Sequence, residues 1–256
     1  MTQLVLSLFP GIGLLDMAFE EEGFCVVRGP DLLWGGDIRS FHPPAGNFDG
    51  VIGGPPCKCF SPLANIVRAV HGEASVAPNL IPEFERCIAE TRPDWFLMEN
   101  VSLAPKPNVP GYGTTRVVLN ARHVGSAQNR VRAFTFGTRS RMTNFHIETD
   151  ALEPFEYTPA VTTNSGGRRK KIAYDARGLV RGKQGHADDA RLKWRPLEEM
   201  AADQGVPESF VSALREHGAF TTKALRIGFG NGVPLPMGRA VAKAVKRALQ
   251  LQEVAA

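Results

Sequence analysis

The 256-residue chain is long enough for one large domain, or for one domain with a small appendage. Its hydrophobic share of 43% and its charged share of 22% are ordinary for a globular protein. The net charge of +4 permits a nucleic-acid partner without requiring one.

The cysteines and the first residues predict the cellular compartment. Four cysteines are too few for a disulfide scaffold. Residues 1–3 run directly into a strand-like segment, without the apolar core of a signal peptide. No stretch approaches the roughly 20 consecutive apolar residues of a membrane span. We therefore expect a cytoplasmic protein with free thiols and no membrane partner.

The first 28 residues predict a βαβ unit. Residues 4–9 form a strand-like run that Pro10-Gly11-Ile12-Gly13 breaks, residues 14–22 have helical spacing, and residues 24–28 read as a second strand. A glycine turn at this place presents backbone amides to a cofactor of the adenosine type, although it equally serves tight packing. It lacks the third glycine of the dinucleotide fingerprint, which favours a cofactor without a pyrophosphate over NAD.

Two acidic residues follow at places where such sheets hold cofactors. Asp31 comes directly after the second strand, where a carboxylate accepts hydrogen bonds from ribose hydroxyls. Asp37 ends a short segment that we interpret as the edge of a third strand. A turn aspartate explains either residue equally well when it is taken alone.

A stiff turn follows the strand-like residues 48–52. Gly53-Gly54-Pro55-Pro56 stops the strand, because proline fixes φ and lacks an N–H while glycine reaches backbone angles that other residues avoid. Cys57 is therefore held at the carboxyl end of a strand, where open α/β sheets place their chemistry. A buried structural cysteine is the alternative. Cys59 hints at a metal site, but no second cysteine pair or spaced histidines accompany it, so no metal is expected.

The middle of the chain adds an irregular connection and a second polar strand end. Residues 58–78 are interrupted by prolines and a glycine, which predicts an irregular connection that is either a functional lid or a disordered segment. Residues 81–88 have helical spacing, and the strand-like residues 95–98 lead into Glu99. If the strands before Cys57 and Glu99 are neighbours, the two side chains lie side by side.

Arginines dominate the next polar segments. Arg130 and Arg132 alternate, so on an extended segment both guanidinium groups face one side, where their forks suit an anion or a base edge. A solvated pair is the alternative. Regular periodicity fades over residues 138–193, which include four consecutive cations that either contact phosphate or are merely solvated. We expect a helix over residues 195–210, a turn over 230–234 and a terminal amphipathic helix over 237–251.

In this order the motifs resemble those of the cytosine-5 DNA methyltransferases, which use S-adenosylmethionine. The matching stretches span nearly the whole chain: Phe9-Pro10-Gly11-Ile12-Gly13, Pro55-Pro56-Cys57, Glu99-Asn100-Val101, Gln128-Asn129-Arg130-Val131-Arg132, Arg195-Pro196-Leu197 with Gly205 and Pro207, and Gly230-Asn231-Gly232-Val233-Pro234. The family usually has a further glycine where this chain has Leu14, and a glutamine where this chain has Lys58. The interval before Arg195 is short, which implies relaxed specificity, a very short target or help from another chain.

The resemblance implies a Rossmann-like α/β sheet with helices on both faces and a small irregular target-recognition lobe. Residues 1–138 completed by 218–256 would form the catalytic and cofactor-binding domain, and residues 139–217 the lobe. The implied activity is methyl transfer from S-adenosylmethionine to cytosine C5 in double-stranded DNA, by a monomer, on a flipped-out base. An RNA cytosine-5 methyltransferase and a catalytically silent binding homologue are the alternatives. The sequence does not distinguish a restriction-modification role from regulation or a mobile element.

The resemblance also implies roles for individual residues. Cys57 would add to cytosine C6, Glu99 would donate a proton at N3, Arg132 would hold the base carbonyl and Arg130 would support the pocket. The implied cofactor site comprises Phe9, Gly11, Ile12, Gly13, Asp31, Asp37, Pro55, Asn231 and Val233. The implied nucleic-acid contacts are Lys58, Ser61, Gln128, Arg168, Arg169, Lys170 and Lys171.

Overall fold

A computed structural model describes residues 2–60, 62–150, 156–161, 172–173, 196–218 and 220–255. Its strands are β1 (Leu4–Leu8), β2 (Cys25–Arg28), β3 (Gly50–Gly53), β4 (Trp95–Asn100), β5 (Gly113–Asn120), β6 (Gln128–Asn129), β7 (Val131–Thr138), β8 (Glu156–Pro159) and β9 (Ile172–Ala173). Its helices are α1 (Leu14–Glu21), α2 (Pro62–His71), α3 (Ile81–Thr91), α4 (Leu197–Asp203), α5 (Glu208–Glu216), α6 (Thr222–Asn231) and α7 (Leu235–Ala255).

Six of the described strands form one mixed sheet in the order β2-β1-β3-β4-β7-β5. Strands β2, β1, β3 and β4 are parallel, whereas β7 runs antiparallel to both of its neighbours. The chain leaves β1 towards β2 on one side and returns as β3 on the other. The carboxyl ends of β1 and β3 therefore flank a topological switch point, which is where open α/β sheets bind ligands.

Strand β4 shows how the sheet is covered on both faces. Trp95 and Leu97 pack in the core formed with α1 and α7, while Phe96 and Met98 pack in the core formed with α3. Successive side chains of a strand point to opposite faces, so a wholly apolar strand needs helices on both sides. The predicted Rossmann-like α/β sheet with helices on both faces is confirmed.

A third apolar cluster joins the glycine turn after β1 to the C-terminal helices. Ile12 and Leu14 pack there with Met200 of α4 and Phe229 of α6. A Cβ atom on Gly232 would lie 2.8 Å from Leu14 Cδ1. The absence of a side chain at residue 232 therefore makes room for Leu14, which stands where the family usually has a glycine.

Several expected elements differ from the structure. The expectation that residues 58–78 are irregular is wrong, because this segment contains α2 between short 3₁₀ turns at Lys58–Phe60 and Glu73–Ser75. Pro62 starts this helix, where its missing N–H costs nothing, and Gly72 follows its end with φ of 80°. The strand edge expected at Asp37 is also wrong, since Asp37 caps a 3₁₀ turn at Ile38–Ser40.

The C-terminal third needs two smaller corrections. The helix expected over residues 195–210 is divided into α4 and α5, because Gly205 adopts φ of 72° and Pro207 precedes α5. The terminal helix begins at Leu235 and reaches Ala255. Of the described helices, none is both long and apolar enough to cross a membrane.

Candidate active site

The segment after β3 holds the Cys57 thiol at the switch point. A Cβ atom on Gly53 would lie 2.8 Å from the Leu8 carbonyl oxygen, so the end of β3 runs directly against the end of β1. After two prolines, the Cys57 carbonyl accepts a hydrogen bond from the Phe60 N–H at 3.0 Å. Cys57 is half-buried and is not part of a disulfide.

Glu99 lies against the backbone of this segment. Strands β3 and β4 are neighbours, and their register aligns Gly53 with Met98, which puts Glu99 level with Gly54. A Cβ atom on Gly54 would lie 3.0 Å from Glu99 Oε2. Glycine at residue 54 therefore lets a carboxyl approach the segment that carries Cys57.

Glu99 forms an ion pair with Arg132. The distance between Arg132 Nε and Glu99 Oε1 is 2.9 Å, and only 8% of Glu99 is exposed. Burial raises the pKa of Glu99, while the charges of Arg132 and Arg130 act in the opposite direction. The carboxyl is thus more easily protonated than an exposed glutamate, which suits a group that delivers a proton.

Asn100 fixes the same segment from the end of β4. Its Nδ2 donates a hydrogen bond to the Pro55 carbonyl at 3.0 Å, and its Oδ1 accepts one from the Val101 N–H at 2.9 Å. The sequence motif contains Asn100 but does not by itself indicate a role for it. The available signal is an amide at the end of a wholly buried strand, where an unpaired polar group would be costly.

Arg130 contacts backbone carbonyls instead of solvent. Only 2% of it is exposed, and its guanidinium donates hydrogen bonds to Val161 O at 2.6 Å and to Gly230 O and Gly232 O at 3.0 Å each. Burial lowers the pKa of Arg130 to about 9, and repulsion from Arg132 acts in the same direction. These contacts suit the supporting role expected for Arg130.

Gln128 is wholly buried, which corrects its expected role in nucleic-acid contact. Its Nε2 donates to the Asp203 carbonyl and, at 3.0 Å, to Gln204 Oε1, while its Oε1 accepts from the Val161 N–H at 2.9 Å. A side chain that has no exposed surface, and whose two polar atoms already form hydrogen bonds within the protein, cannot contact DNA. Gln128 instead connects β6 to the end of α4.

The glycine turn after β1 is open on one side and tied to Asp31 on the other. Nothing lies within 4 Å of the place where a Cβ atom on Gly11 would be. The Gly11 N–H donates to Asp31 Oδ2 at 2.9 Å, and the Leu33 N–H donates to Asp31 Oδ1 at 2.7 Å. Since a carboxylate has about four acceptor positions, Asp31 keeps capacity for further donors such as ribose hydroxyls.

Other expected cofactor residues surround this turn in different ways. Ile12 is 3% exposed and packs against Gly228 of α6, so its side chain is part of the core and only its backbone is available. Pro55 and Val233 are buried, Phe9 is half-buried with φ of 57°, and Asn231 is exposed. The indole of Trp34, which sequence reasoning missed, donates to the Gly11 carbonyl at 2.7 Å and is 46% exposed.

Asp37 lies farther along the same edge and has its own partner. Arg39 holds the pKa of Asp37 at about 2 through side-chain and backbone hydrogen bonds. Asp37 therefore stays ionised and remains an acceptor. The Asp31 carboxylate as an acceptor, the exposed ring of Trp34 as an apolar surface and the open glycine turn together fit a nucleoside.

The remaining expected residues divide into one that the structure places and several that it does not describe. Lys58 is exposed and follows Cys57 directly. Ser61 and the basic residues Arg168, Arg169, Lys170 and Lys171 lie outside the described residues. Within the described ranges, no group of three or more His, Cys, Asp or Glu side chains is arranged to hold a metal.

A family model for C-5 cytosine-specific DNA methylase matches residues 35–175, which is more than half of the chain. The chain belongs to this family. The matched residues include Cys57, Glu99 and Arg132, so the cluster just described lies within the matched part of the chain.

Type II methyltransferases are among the relatives of this chain. The chain is 31% identical to M.NgoPII of Neisseria gonorrhoeae over 166 residues, 53% of this chain and 48% of that protein. It is also 31% identical to M.FnuDI of Fusobacterium nucleatum over 173 residues, 56% of this chain and 49% of that protein. The aligned part thus spans about half the length of these relatives.

Solved structures of other proteins share the fold of this chain. The Entamoeba histolytica methyltransferase EhMeth matches with a TM-score of 0.66 and 12% identity, over 97% of this chain and 99% of that chain. A mutant of Spodoptera frugiperda DNMT2 matches with a TM-score of 0.60 and 14% identity, over 96% and 100%. At these identities the comparison shows the fold alone.

Proposed function

We propose that this chain transfers a methyl group from S-adenosylmethionine to C5 of cytosine in double-stranded DNA. The observation that carries the proposal is the contact between Glu99, paired with Arg132, and the segment that holds Cys57. Membership of the C-5 cytosine-specific DNA methylase family supports the same reaction. The Type II methyltransferases among its relatives favour a place in a restriction-modification system.

Cys57 acts as the nucleophile in the proposed reaction. Cytosine C5 is a weak nucleophile, and addition of a thiolate to C6 makes the ring enamine-like, so that C5 attacks a methyl group readily. The proline-rich turn before Cys57 and the bond from Asn100 to Pro55 hold the thiol in place. Fixing a nucleophile in this way lowers the entropic part of the barrier.

Glu99 and Arg132 manage the charge that develops on the ring. Addition at C6 puts negative charge on the base, and a protonated Glu99 relieves it by donating to N3. Burial favours this protonated form, because it raises the pKa of Glu99. Arg132 lies beside Glu99 with 17% of its side chain exposed. Its Nε pairs with Glu99 and its Nη1 donates to the Val131 carbonyl at 2.7 Å, so Nη2 is the nitrogen that would donate to the base carbonyl. Loss of the C5 proton to solvent, return of the N3 proton to Glu99 and release of Cys57 as a thiolate complete the reaction.

The cofactor site in this proposal lies at the switch point. Asp31, Trp34 and the glycine turn would hold the nucleoside, with Phe9, Asp37, Pro55 and the turn at residues 231–233 around it. When bound, S-adenosylmethionine supplies the methyl group from its sulfonium. The open space beside Gly11 supports this placement, since a residue with a side chain at this position would fill the space that the nucleoside needs.

DNA binding in this proposal requires the target base to leave the helix, because its reacting atoms are stacked inside the duplex. The segment from Lys58 through α2 to Pro78 would close over the flipped base, with Lys58 and Ser61 near the phosphates. Residues 139–217 would form the target-recognition lobe, in which Arg168, Arg169, Lys170 and Lys171 contact the backbone. The enzyme would act as a monomer on DNA.

The proposal is tested by transfer of a labelled methyl group from S-adenosylmethionine to duplex DNA. The wild-type chain should label cytosine C5, and bisulfite sequencing should give the sequence context. Cys57→Ala should abolish labelling, whereas Cys25→Ala, at an exposed thiol on β2, should leave it unchanged. Full labelling by Cys57→Ala would refute the assignment of the nucleophile. Labelling of transfer RNA instead of DNA would identify an RNA enzyme, and binding without labelling a silent homologue.

A further inference from the structure

Gln204 joins two helices around the turn that the proposed function places at the cofactor. Its Nε2 donates hydrogen bonds to the Phe229 carbonyl and, at 3.3 Å, to the Gly232 carbonyl, both near the end of α6. Its own carbonyl accepts from the Leu235 N–H at 2.8 Å, at the start of α7. The residue has no exposed surface. One buried side chain and its backbone therefore bracket residues 229–235.

The ends of α6 and α7 need such partners. The last carbonyls of a helix and the first N–H groups of the next have no partner within their own helices. Arg130 takes the Gly230 and Gly232 carbonyls, and Gln204 takes the Phe229 carbonyl and shares that of Gly232. The conformation of the turn is therefore set by two side chains from outside it.

The orientation of the Gln204 amide is itself fixed. Gln128 Nε2 donates to Gln204 Oε1 at 3.0 Å, which leaves Gln204 Nε2 to face the turn. Gln128 and Arg130 also lie in the segment that continues to Arg132, the partner of Glu99. Residues 128–132 thus connect the base side of the site, through Arg132, to the hydrogen bonds that Arg130 and Gln204 make with the turn at residues 230–233.

We propose that Gln204 is a positioning residue for cofactor binding, which acts by fixing the backbone of residues 229–233. The inference rests on the proposed function, because that function places this turn against S-adenosylmethionine. Gln204 is too buried to touch a ligand, so its effect passes through the turn. A residue that only stabilised the fold would change the melting temperature and leave cofactor affinity in the folded protein unaltered.

The test compares Gln204→Glu with Gln250→Glu, which makes the same change at an exposed position on α7. At alkaline pH the introduced carboxylate cannot donate to the Phe229 and Gly232 carbonyls. Calorimetric titration should then show an increase of about tenfold or more in the Kd for S-adenosylmethionine. KM for the cofactor should rise in parallel, while kcat at saturating cofactor and the Kd for DNA stay near the wild-type values. Gln250→Glu should bind as the wild type does.

Acidification provides a second readout that a merely structural role would not move. The introduced carboxyl regains a donor when it is protonated, so cofactor affinity of Gln204→Glu should recover towards that of wild type as the pH falls. Gln204→Asn serves if the first variant does not fold. It keeps the amide but is one methylene shorter, and it should raise the cofactor Kd at every pH.

The outcomes separate this inference from the proposed function. Unchanged cofactor affinity in a folded Gln204 variant, with normal binding by wild type, overturns the inference alone. Equal losses of cofactor and DNA affinity also overturn it, because they indicate a general structural defect. Failure of the wild-type chain to bind S-adenosylmethionine overturns the proposed function and the inference together.

Discussion

Replacement of Arg130 by methionine should destabilise the folded protein strongly, because the guanidinium is the partner of several buried carbonyls. Arg130→Met keeps a long side chain but removes the donors to Val161, Gly230 and Gly232. Each buried carbonyl left without a partner costs roughly 1–3 kcal/mol. The variant no longer has to bury a cation, which offsets part of this loss.

The magnitude follows from these opposing contributions. The Val161 and Gly230 carbonyls lose their donor, whereas the Gly232 carbonyl keeps a hydrogen bond from Gln204 at 3.3 Å. Two unpaired carbonyls at the low end of that range give a net loss of about 2 kcal/mol in the free energy of unfolding. For a domain of this size, about 1 kcal/mol shifts the melting temperature by about 2–4 °C. We therefore expect Arg130→Met to melt about 4–8 °C below the wild type.

Circular dichroism or calorimetry measures this shift directly. Arg39→Met is the matched control, because Arg39 pairs with Asp37 at the surface and should leave the melting temperature unchanged. Arg130→Lys should fall between the two, since one ammonium cannot reach carbonyls that a guanidinium spans. A melting temperature of Arg130→Met equal to that of the wild type would refute the assignment of Arg130 as the support of this turn.

Three further measurements address other parts of the site. Burial raises the pKa of Glu99, so kcat/KM should decline only as the pH rises above that raised value, and Glu99→Gln should reduce the rate and abolish the decline; a pH–rate profile with the same decline in the variant would assign it to another group. Asn100→Asp cannot donate to the backbone before Cys57 and should lower kcat/KM about ten- to a hundredfold, measured by labelled methyl transfer, and an unaltered rate would show that this bond does not hold the thiol. Burial raises the pKa of Cys87 to about 11, so its thiol should react slowly. Alkylation of the folded protein, read out by mass spectrometry, should modify the exposed Cys25 and spare Cys87. Equal modification of the two would contradict the placement of Cys87 in the core.

The sheet and its helices could be read from the sequence where apolar patterning was strong. Four consecutive apolar residues predict strand β4, which ends at Glu99 and Asn100. Its neighbour β3 is predicted because an apolar run is stopped by two glycines and two prolines. The sequence does not predict helix α2, because proline and glycine usually interrupt a helix, whereas Pro62 lies at its start and Gly72 just beyond its end. The position of a proline along a helix, which a short sequence window does not reveal, decided the outcome.

The buried hydrogen bonds of the site could not be predicted in the same way. The alternation of Arg130 and Arg132 indicated a shared face, but not that one contacts the backbone of a distant turn while the other pairs with a carboxylate. Gln128 and Gln204 are 76 residues apart in sequence, and no local sequence pattern predicts their hydrogen bond. Buried polar groups take whichever partner the tertiary fold supplies, so their roles became visible only in the assembled structure.

The central claim, that Cys57 is the nucleophile of a cytosine-5 methyltransferase, is tested most directly by trapping. The protein is incubated with S-adenosylmethionine and a duplex oligonucleotide in which 5-fluorocytosine replaces cytosine, and the covalent product is mapped by mass spectrometry. Fluorine at C5 cannot be lost as a proton is, so the adduct should persist on Cys57 and be absent from Cys57→Ala. An adduct on Cys59, or efficient methyl transfer to ordinary DNA without any adduct on the fluorinated duplex, would contradict it.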